Sequence, residues 1–318
     1  MNRSDVLAAQ GRIGAHVRKT PLLSSAALDA LAGRRVWLKA ECLQHTGSFK
    51  ARGGWSALSA LAPEARARGV IAYSSGNHAQ GVARAAAAFG ASAVIVMPAD
   101  APAVKIANTR ALGAEVVLYD RATDDRDAIG ARMAEARGLT LVKPFDDPMV
   151  IAGQGTIGLE LLDDLPEGWQ GEILVPCGGG GMSAGIALAL EGSGARVRTV
   201  EPMGFDDTAR SLAAGRIERN ARLSGSVCDA IVTPAPGVLT FPILHRLCGP
   251  GLAVSDEQAM EAMVLAFRHL RVVLEPGGAV ALAAALFLPE IAADVVAIGS
   301  GGNVDEALFA AALAKYPG

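Results

Sequence analysis

The chain has 318 residues, of which 51% are hydrophobic and 19% are charged, and its formal net charge at pH 7 is -3. This length suits two domains that share an interface, and the hydrophobic fraction is large enough for a sizeable interior. The weak negative charge and the scattered basic residues exclude a nucleic-acid-binding protein and one held on an anionic membrane surface. We therefore expect a small molecule as the partner.

The sequence also predicts the cellular compartment. Its first ten residues carry charges and lack an apolar core, so no signal peptide is predicted. The most apolar stretch, residues 279–288, is too short to cross a bilayer. The four cysteines lie far apart without paired spacing, which indicates buried thiols in a reducing compartment. We expect a cytoplasmic protein that does not bind membranes.

Short β-branched runs alternate with Ala- and Leu-rich segments along most of the chain. Strands are predicted at residues 36–41, 70–74, 93–97, 115–119, 172–176, 197–201 and 295–298. Helices are predicted between them, for example at residues 76–89, 102–112, 124–137 and 181–191. This order is typical of βαβ units, and it predicts an α/β fold of mainly parallel sheets covered by helices.

Three polar, glycine-rich turns follow predicted strands, at residues 74–78, 177–181 and 299–303. Ligands of parallel sheets bind beyond the carboxyl ends of the strands, often where such a turn opens a helix. The three turns therefore predict one site assembled from distant segments.

The second turn contains four consecutive glycines, Gly178, Gly179, Gly180 and Gly181. Glycine allows the backbone to approach a phosphate closely, and the free amides of a helix start point at an anion. The spacing fits neither the dinucleotide fingerprint nor the P-loop. A phosphate site is the first interpretation, and a tight turn without a ligand is the alternative.

Lysine is scarce in this chain, and Lys50 is one of only six, at positions 19, 39, 50, 105, 143 and 315. A desolvated lysine forms a Schiff base with a carbonyl compound, which arginine cannot do. Taken alone, Lys50 is interpreted as an ordinary surface cation beside a helix start. A carbonyl cofactor nearby would give it a chemical role.

Three further groups each have a functional and a structural interpretation. The turn at 74–78 suits a carboxylate, but it is also an ordinary helix cap. Ser300 could bond a pyridine nitrogen, or it could simply stabilise a turn. Glu201 and Asp207 supply the oxygen atoms that hard cations prefer, while capping of a helix by Asp206 is the competing interpretation.

Together these segments resemble the serine/threonine dehydratase and serine racemase family of pyridoxal-phosphate enzymes. Nine segments carry the resemblance in order: TPLLSS at 20–25, LKAECLQHTGSFKARGG at 38–54, SSGNHAQGVA at 74–83, MPADAPAVK at 97–105, PFDDPMVIAGQGTIGLEL at 144–161, PCGGGGMSAGIA at 176–187, VEPMGFDD at 200–207, EPGGAVALAA at 275–284 and SGGNVD at 300–305. The resemblance implies fold type II, which is tryptophan synthase β-like, with two open, twisted, mainly parallel sheets and helices on both faces. It implies a large cofactor domain at 1–67 and 148–318 and a small domain inserted at 68–147.

The resemblance also implies roles for individual residues. Lys50 would form the Schiff base with pyridoxal 5′-phosphate and act as general base, and Phe49 would pack on the ring. Asn77 would meet the ring hydroxyl, Ser300 the pyridine nitrogen, and residues 178–181 with Met182 the phosphate. The substrate carboxylate would lie on Ser75, Asn77 and His78. Glu201, the carbonyl of Phe205 and Asp207 would bind a divalent cation, Mg, Mn or Ca.

The resemblance to this family implies an ammonia-lyase, which converts L-threonine or L-serine into a 2-oxo acid and ammonia through an aminoacrylate-type intermediate. Two alternatives use the same scaffold. Ser75 could protonate from the opposite face, as in a serine racemase. Arg126 could bind a second carboxylate, as in a 3-hydroxyaspartate dehydratase, unless it is a solvated helix charge.

Two other classes of protein are alternatives to the lyase. A cysteine-synthase-like enzyme would share the lysine segment but not the cluster at Glu201 and Asp207. A non-catalytic protein that binds pyridoxal phosphate would not need to keep Lys50, Ser300 and four glycines intact. The resemblance further implies a homodimer.

Overall fold

The computed structural model describes residues 1–74, 76–101, 103–120, 123–291 and 294–316, apart from the side chains of Val104 and Asp127. The strands are β1 (Leu22–Ser24), β2 (Val36–Lys39), β3 (Val70–Tyr73), β4 (Ala93–Pro98), β5 (Glu115–Tyr119), β6 (Thr140–Leu141), β7 (Glu172–Pro176), β8 (Arg196–Pro202), β9 (Leu252–Val254) and β10 (Val295–Ile298). The helices are α1 (Arg3–Ile13), α2 (Ala26–Ala32), α3 (Lys50–Ala60), α4 (Pro63–Arg68), α5 (Asn77–Ala88), α6 (Ala103–Ala111), α7 (Arg126–Arg137), α8 (Pro148–Asp164), α9 (Gly181–Leu190), α10 (Asp207–Ala214), α11 (Thr240–Leu247), α12 (Asp256–Leu270), α13 (Pro276–Phe287) and α14 (Glu306–Lys315).

The strands form two sheets, as expected for this fold class. Six strands pair in the order β1-β2-β10-β7-β8-β9, and four pair in the order β5-β4-β3-β6. Every described pairing is parallel except that of β1 with β2. All seven predicted strands are present, and the prediction of mainly parallel sheets is confirmed.

Alternate residues of β7 face opposite sides of the six-stranded sheet. Ile173 and Val175 belong to the core that contains α8 and α9, whereas Leu174 belongs to the core built by α12 and α13. Both faces of the sheet are therefore covered by helices, which explains why β7 is a continuous apolar run. In the four-stranded sheet, Ile71 and Ala72 face separate cores in the same way.

The four-stranded sheet is formed by residues between 70 and 141, inside the predicted inserted segment of 68–147. All strands of the larger sheet come from residues outside that segment. The domain boundaries themselves stay a prediction. Within the described ranges, no helix has the length and apolar character that crossing a membrane requires.

Glycines bring helix α3 close to its neighbours. A Cβ atom at Gly54 would lie 2.6 Å from the backbone of Gly81 in α5, and one at Gly153 in α8 would lie 2.8 Å from the carbonyl oxygen of Arg52. Helix α3 therefore packs closely between α5 and α8. Its first residue is Lys50, so this packing places the predicted Schiff-base lysine.

Candidate active site

The three glycine-rich turns lie where the sequence predicts them. The turn after β3 leads into α5, the turn after β7 leads into α9, and the turn after β10 leads towards α14. Each of these turns follows the carboxyl end of its strand, and in open α/β sheets that is the edge where ligands bind.

The loop before Lys50 is joined to the third turn by backbone hydrogen bonds. The amide of Phe49 donates to the carbonyl oxygen of Ser300 at 3.1 Å, and the amide of Gly302 donates to that of Gly47 at 2.9 Å. Ser48 and Gly301 form an isolated antiparallel bridge between them. Phe49 and Lys50 are thus brought into one region with Ser300, which lies about 250 positions later in the sequence.

The Lys50 amine donates a hydrogen bond to the carbonyl oxygen of Pro144 at 2.6 Å. It also lies 5.0 Å from the centre of the Phe49 ring. Burial lowers the pKa of Lys50 to about 8, because desolvation disfavours the charged ammonium. About a fifth of this amine is therefore neutral at pH 7.4, and a nucleophile or proton acceptor must be neutral.

The turn of four glycines at 178–181, called the tetraglycine turn below, has backbone amides rather than carbonyl groups free to bind a ligand. The carbonyl oxygen of Gly179 accepts from the Gly237 amide at 3.1 Å and from the Thr240 hydroxyl at 2.7 Å. Within the described residues, the amides of Gly178, Gly179 and Gly180 donate no hydrogen bond. Free amides at a helix start form an anion site, so this geometry suits a phosphate.

Phe145 lies against this turn. A Cβ atom at Gly179 would lie 2.2 Å from the Phe145 ring, and one at Gly181 would lie 2.9 Å from the Phe145 backbone. Gly180 also has a left-handed backbone, with φ of +87°. The turn therefore needs glycine both for space and for conformation. Met182 is 4% exposed and its side chain packs in the core, so only its backbone could contact a phosphate at this turn.

Asn77 is held by two side chains. Its Oδ1 atom accepts from Asn303 Nδ2 at 2.7 Å, and its Nδ2 atom donates to Glu275 Oε1 at 2.5 Å. Glu275 is 3% exposed, and burial raises its pKa to about 7, against the opposing effect of the Lys105 ammonium 4.0 Å away. A buried titratable carboxyl group thus lies next to the predicted position of the ring hydroxyl.

His78 is buried and neutral. Its Nε2 atom lies 2.9 Å from the carbonyl oxygen of Val142, so Nε2 carries the hydrogen and Nδ1 carries a lone pair. Burial, followed by the nearby charge of Lys50, lowers the pKa of His78 to about 3. This imidazole cannot donate to a carboxylate from Nδ1, so only the backbone amide of His78 is suited to the predicted contact. Ser75 lies outside the described residues.

Buried hydroxyl groups without partners border these turns. Among the described residues, Ser48 Oγ, Ser183 Oγ and Thr233 Oγ1 are buried and make no hydrogen bond. Ser48 precedes Phe49, Ser183 lies in the first turn of α9, and the Thr233 side chain lies beside Gly178. Buried polar atoms are normally paired, so these atoms fit a polar group that binds there.

Glu201 and Asp207 lie at the carboxyl end of β8 and the start of α10, both buried. Glu201 accepts from the amides of Thr208 and Ala209 at 3.0 and 2.8 Å, so Glu201, rather than Asp206, caps this helix. Burial raises the pKa of both carboxyl groups, that of Asp207 to about 7. In the described part of the chain, Asp207 Oδ2 has no partner, and no group of three or more His, Cys, Asp or Glu residues is arranged to hold a metal.

Arg126 is half-buried at the start of α7, with its guanidinium 5.3 Å from the centre of the Tyr73 ring. Tyr73 is the last residue of β3 and directly precedes the turn at 74–78. The cation therefore lies next to one of the three turns, and both interpretations of Arg126, a contact for a second carboxylate and a solvated helix charge, stay predictions.

Sequence reasoning missed several residues at these turns, namely Pro144, Phe145, Thr240, Glu275 and Asn303. Two of them carried a signal. Glu275 directly precedes the Pro-Gly-Gly that begins α13, and Asn303 ends the third glycine-rich turn. Their pairing with Asn77 spans 198 and 226 residues, which no local pattern predicts.

The sequence profile described as "Pyridoxal-phosphate dependent enzyme" matches residues 13–301. The chain belongs to this family. Pyridoxal 5′-phosphate is accordingly its cofactor, and the buried unpaired hydroxyls and free glycine amides fit that group. The predicted family and fold are confirmed.

Relatives with three different names are similar to this member of the family. An L-threo-3-hydroxyaspartate ammonia-lyase from Saccharomyces cerevisiae is 40% identical over 96% of this chain and 94% of its own length. An L-threonine ammonia-lyase from Thermotoga maritima is 41% identical over 95% of this chain and 75% of its own. The structure of maize serine racemase superposes with a TM-score of 0.92 at 36% identity, covering 99% of this chain and 97% of that one.

Proposed function

We propose that this protein is an ammonia-lyase that converts L-threonine or L-serine into a 2-oxo acid and ammonia. The proposal is carried by the Lys50 amine, which lies beside the glycine-rich turns and whose pKa burial lowers to about 8. When bound, pyridoxal phosphate supplies an aldehyde for the substrate amine and a conjugated ring that accepts the electron pair left at the α carbon.

The protein's own groups bind and orient the reactants. The amides of residues 178–181 would hold the phosphate, and Asn77 and Ser300 would meet the ring. The amides that begin α5 would hold the substrate carboxylate, since a helix start favours negative charge. Phe49, whose ring lies 5.0 Å from the Lys50 amine, would exclude water from one face.

Lys50 would move the proton. The free and neutral Lys50 amine would take the proton from the α carbon of the substrate. The β-hydroxyl group would leave as water with the proton that Lys50 has taken, and hydrolysis would then give the 2-oxo acid and ammonia. Because Ser300 is a neutral partner for the ring nitrogen, we expect elimination to be favoured over a long-lived carbanion.

The test is a substrate panel of L-threonine, L-serine, D-serine and both 3-hydroxyaspartate diastereomers, with measurement of the 2-oxo acid and the enantiomer ratio. Lys50→Ala should lose the violet absorbance of the bound cofactor and all lyase activity. Lys143→Ala is the matched control, because Lys143 is exposed directly beside Pro144, and it should retain both. Lyase activity that survives Lys50→Ala would contradict the proposal.

A 3-hydroxyaspartate ammonia-lyase is the second candidate. It is favoured by the Arg126 guanidinium beside Tyr73, since a guanidinium suits a second carboxylate, and by the yeast relative of that name. Arg126→Leu should lower kcat/KM for hydroxyaspartate at least about 10-fold, which is about 1.4 kcal/mol of transition-state stabilisation. The kcat/KM for threonine should not change. Equal losses for both substrates would contradict a contact with the distal carboxylate.

Racemisation of serine is a further candidate, favoured by Ser75 in the sequence and by the similarity to maize serine racemase. Ser75 would deliver a proton to the face opposite Lys50. Ser75→Ala should abolish D-serine formation and spare elimination, measured as the ratio of D-serine to pyruvate. An unchanged ratio would remove Ser75 from this role.

The proposal extends to a divalent cation, Mg, Mn or Ca, on Glu201, the carbonyl of Phe205 and Asp207. It is supported by the Asp207 Oδ2 atom, which has no hydrogen-bond partner among the described residues, and by the closeness of the two carboxyl groups. Burial raises the pKa of both groups, so neither ionises readily by itself. A cation there would stabilise both as carboxylates.

We further propose that the protein works in the cytoplasm as a homodimer. All four cysteines are free thiols, and three of them are buried, which suits a reducing compartment. The dimer rests on the family resemblance. Light scattering of the purified protein would test it, and a monomer at micromolar concentration would contradict it.

A further inference from the structure

The Asn77 side-chain amide is oriented by a chain of three hydrogen bonds. Asn303 Nδ2 donates to the carbonyl oxygen of Thr46 at 2.9 Å and to Asn77 Oδ1 at 2.7 Å, and Asn77 Nδ2 donates to Glu275 Oε1 at 2.5 Å. A backbone carbonyl only accepts, so the Asn303 amino group must point towards Thr46. Asn77 Oδ1 then accepts from the same amino group, which leaves the Asn77 amino group facing Glu275.

The backbone conformation at Thr46 supports this orientation of the Asn303 side-chain amide. Thr46 has φ of +59° and Gly47 has φ of +71°, so both adopt the left-handed conformation. That conformation is unfavourable for threonine and persists only where surrounding contacts hold it. A Cβ atom at Gly47 would lie 2.6 Å from Asn303 Oδ1, so the turn leaves room for Asn303 only because residue 47 is glycine.

Glu275 completes the chain at its other end. Lys105 is the cation that faces it, at 4.0 Å, and Asp229 is the acidic residue whose charge acts on it. A Cβ atom at Gly301 would lie 2.4 Å from Glu275 Oε1, so the carboxyl group is packed against the residue after Ser300. Reversing the Asn77 amide would put its oxygen against this carboxyl group.

We infer that Asn303 and the Thr46–Gly47 turn are positioning residues that hold Asn77 with one amino hydrogen on Glu275 and the other free for the ring oxygen of the cofactor. The inference rests on the proposed function, in which Asn77 meets that oxygen. Asn77 is then a donor only. A donor at the ring oxygen lowers its affinity for the proton that it shares with the nitrogen attached to Lys50.

The experiment is a pH titration of the absorbance of the bound cofactor in Asn303→Asp holoenzyme. Aspartate places carboxylate oxygens against the Thr46 carbonyl and against Asn77 Oδ1, so Asn77 loses the partner that fixes it. We expect the titration midpoint to rise by about one pH unit or more, as loss of a hydrogen bond to a charged group does. A midpoint that falls, or that stays within about 0.3 unit of wild type, overturns the inference.

Two further variants keep the test decisive. Gly47→Ala adds a Cβ atom that would press on the Asn303 side chain, and it should also raise the titration midpoint. Asn303→Ser replaces Asn303→Asp if the aspartate variant does not fold, and the same rise is expected. Asn108→Asp, at an exposed asparagine of α6, is the control and should leave it unchanged. If wild-type protein shows no absorbance that depends on Lys50, the proposed function fails rather than this inference.

Discussion

The Lys50 amine and the carbonyl oxygen of Pro144 are joined by a 2.6 Å hydrogen bond. The next residue, Phe145, packs against Gly179 and Gly181 of the tetraglycine turn. Segment 144–145 therefore contacts both the amine that would bind the aldehyde and the turn that would bind the phosphate. This relationship joins the two ends of the proposed cofactor site through one short segment.

Attachment of the cofactor to Lys50 should depend on pH with a midpoint near 8. Burial lowers the Lys50 pKa to about 8, so half of the amine is neutral there, whereas about 0.3% would be neutral with the ordinary value of 10.5. The rate at which cofactor-free protein regains violet absorbance with pyridoxal phosphate should rise through pH 8 and level off near about pH 9. A rate that keeps rising tenfold per unit to pH 10 would contradict the lowered pKa.

Gly179→Ala should weaken cofactor binding about 5- to 150-fold, because overpacking of this size costs about 1–3 kcal/mol. The added Cβ atom would lie 2.2 Å from the Phe145 ring, so the ring or the turn has to move. The dissociation constant is measured by fluorescence titration with pyridoxal phosphate. Gly11→Ala is the control: nothing lies within 4 Å of its added Cβ atom in α1, and binding should not change.

The unfolding free energy of cofactor-free Glu275→Gln, compared with that of wild type, should increase as the pH rises from 5 to 8. Folding raises the pKa of Glu275 from 4.5 to about 7, so its stabilising contribution is complete below pH 4.5 and is lost as the pH passes 7. The difference in unfolding free energy should change by up to about 3 kcal/mol. Urea denaturation at both pH values measures it.

The control for this prediction is Glu290→Gln, at an exposed position, which should not alter the pH dependence. A difference between Glu275→Gln and wild type that is the same at pH 5 and pH 8 would show that the carboxyl group is not buried as the structure places it.

Millimolar Mg²⁺, Mn²⁺ or Ca²⁺ should raise the melting temperature of wild-type protein, and a chelator should reverse the rise. An ion at 100 times its dissociation constant adds about 2.7 kcal/mol of stability. Asp207→Asn should abolish the response, since it removes the charge at the unpartnered Oδ2 atom. Asp206→Asn, one residue away and in contact with Arg210, should retain it. A wild-type protein insensitive to all three ions would eliminate the proposed cation site.

The sequence alone determined the strands that carry enough residues to show a pattern. The observed β7 and β10 begin and end at the predicted residues 172–176 and 295–298, because buried parallel strands are continuous apolar runs. The observed β5 also matches its prediction at 115–119, although it is a partly exposed edge strand. Strands β1, β6 and β9 have three residues or fewer and were not predicted. Such short segments contain no period, and only pairing with a neighbouring strand defines them.

The same distinction between local sequence and tertiary structure holds for the residues of the proposed active site. Sequence indicated the lysine and the tetraglycine turn, since amine reactivity and backbone freedom are properties of the residues themselves. Only the tertiary structure decided that the Gly179 carbonyl is held by Thr240, that His78 is neutral, and that Asn77 lies between Glu275 and Asn303. Desolvation and the direction of a hydrogen bond depend on neighbours hundreds of residues away, and those neighbours meet only when the chain is folded.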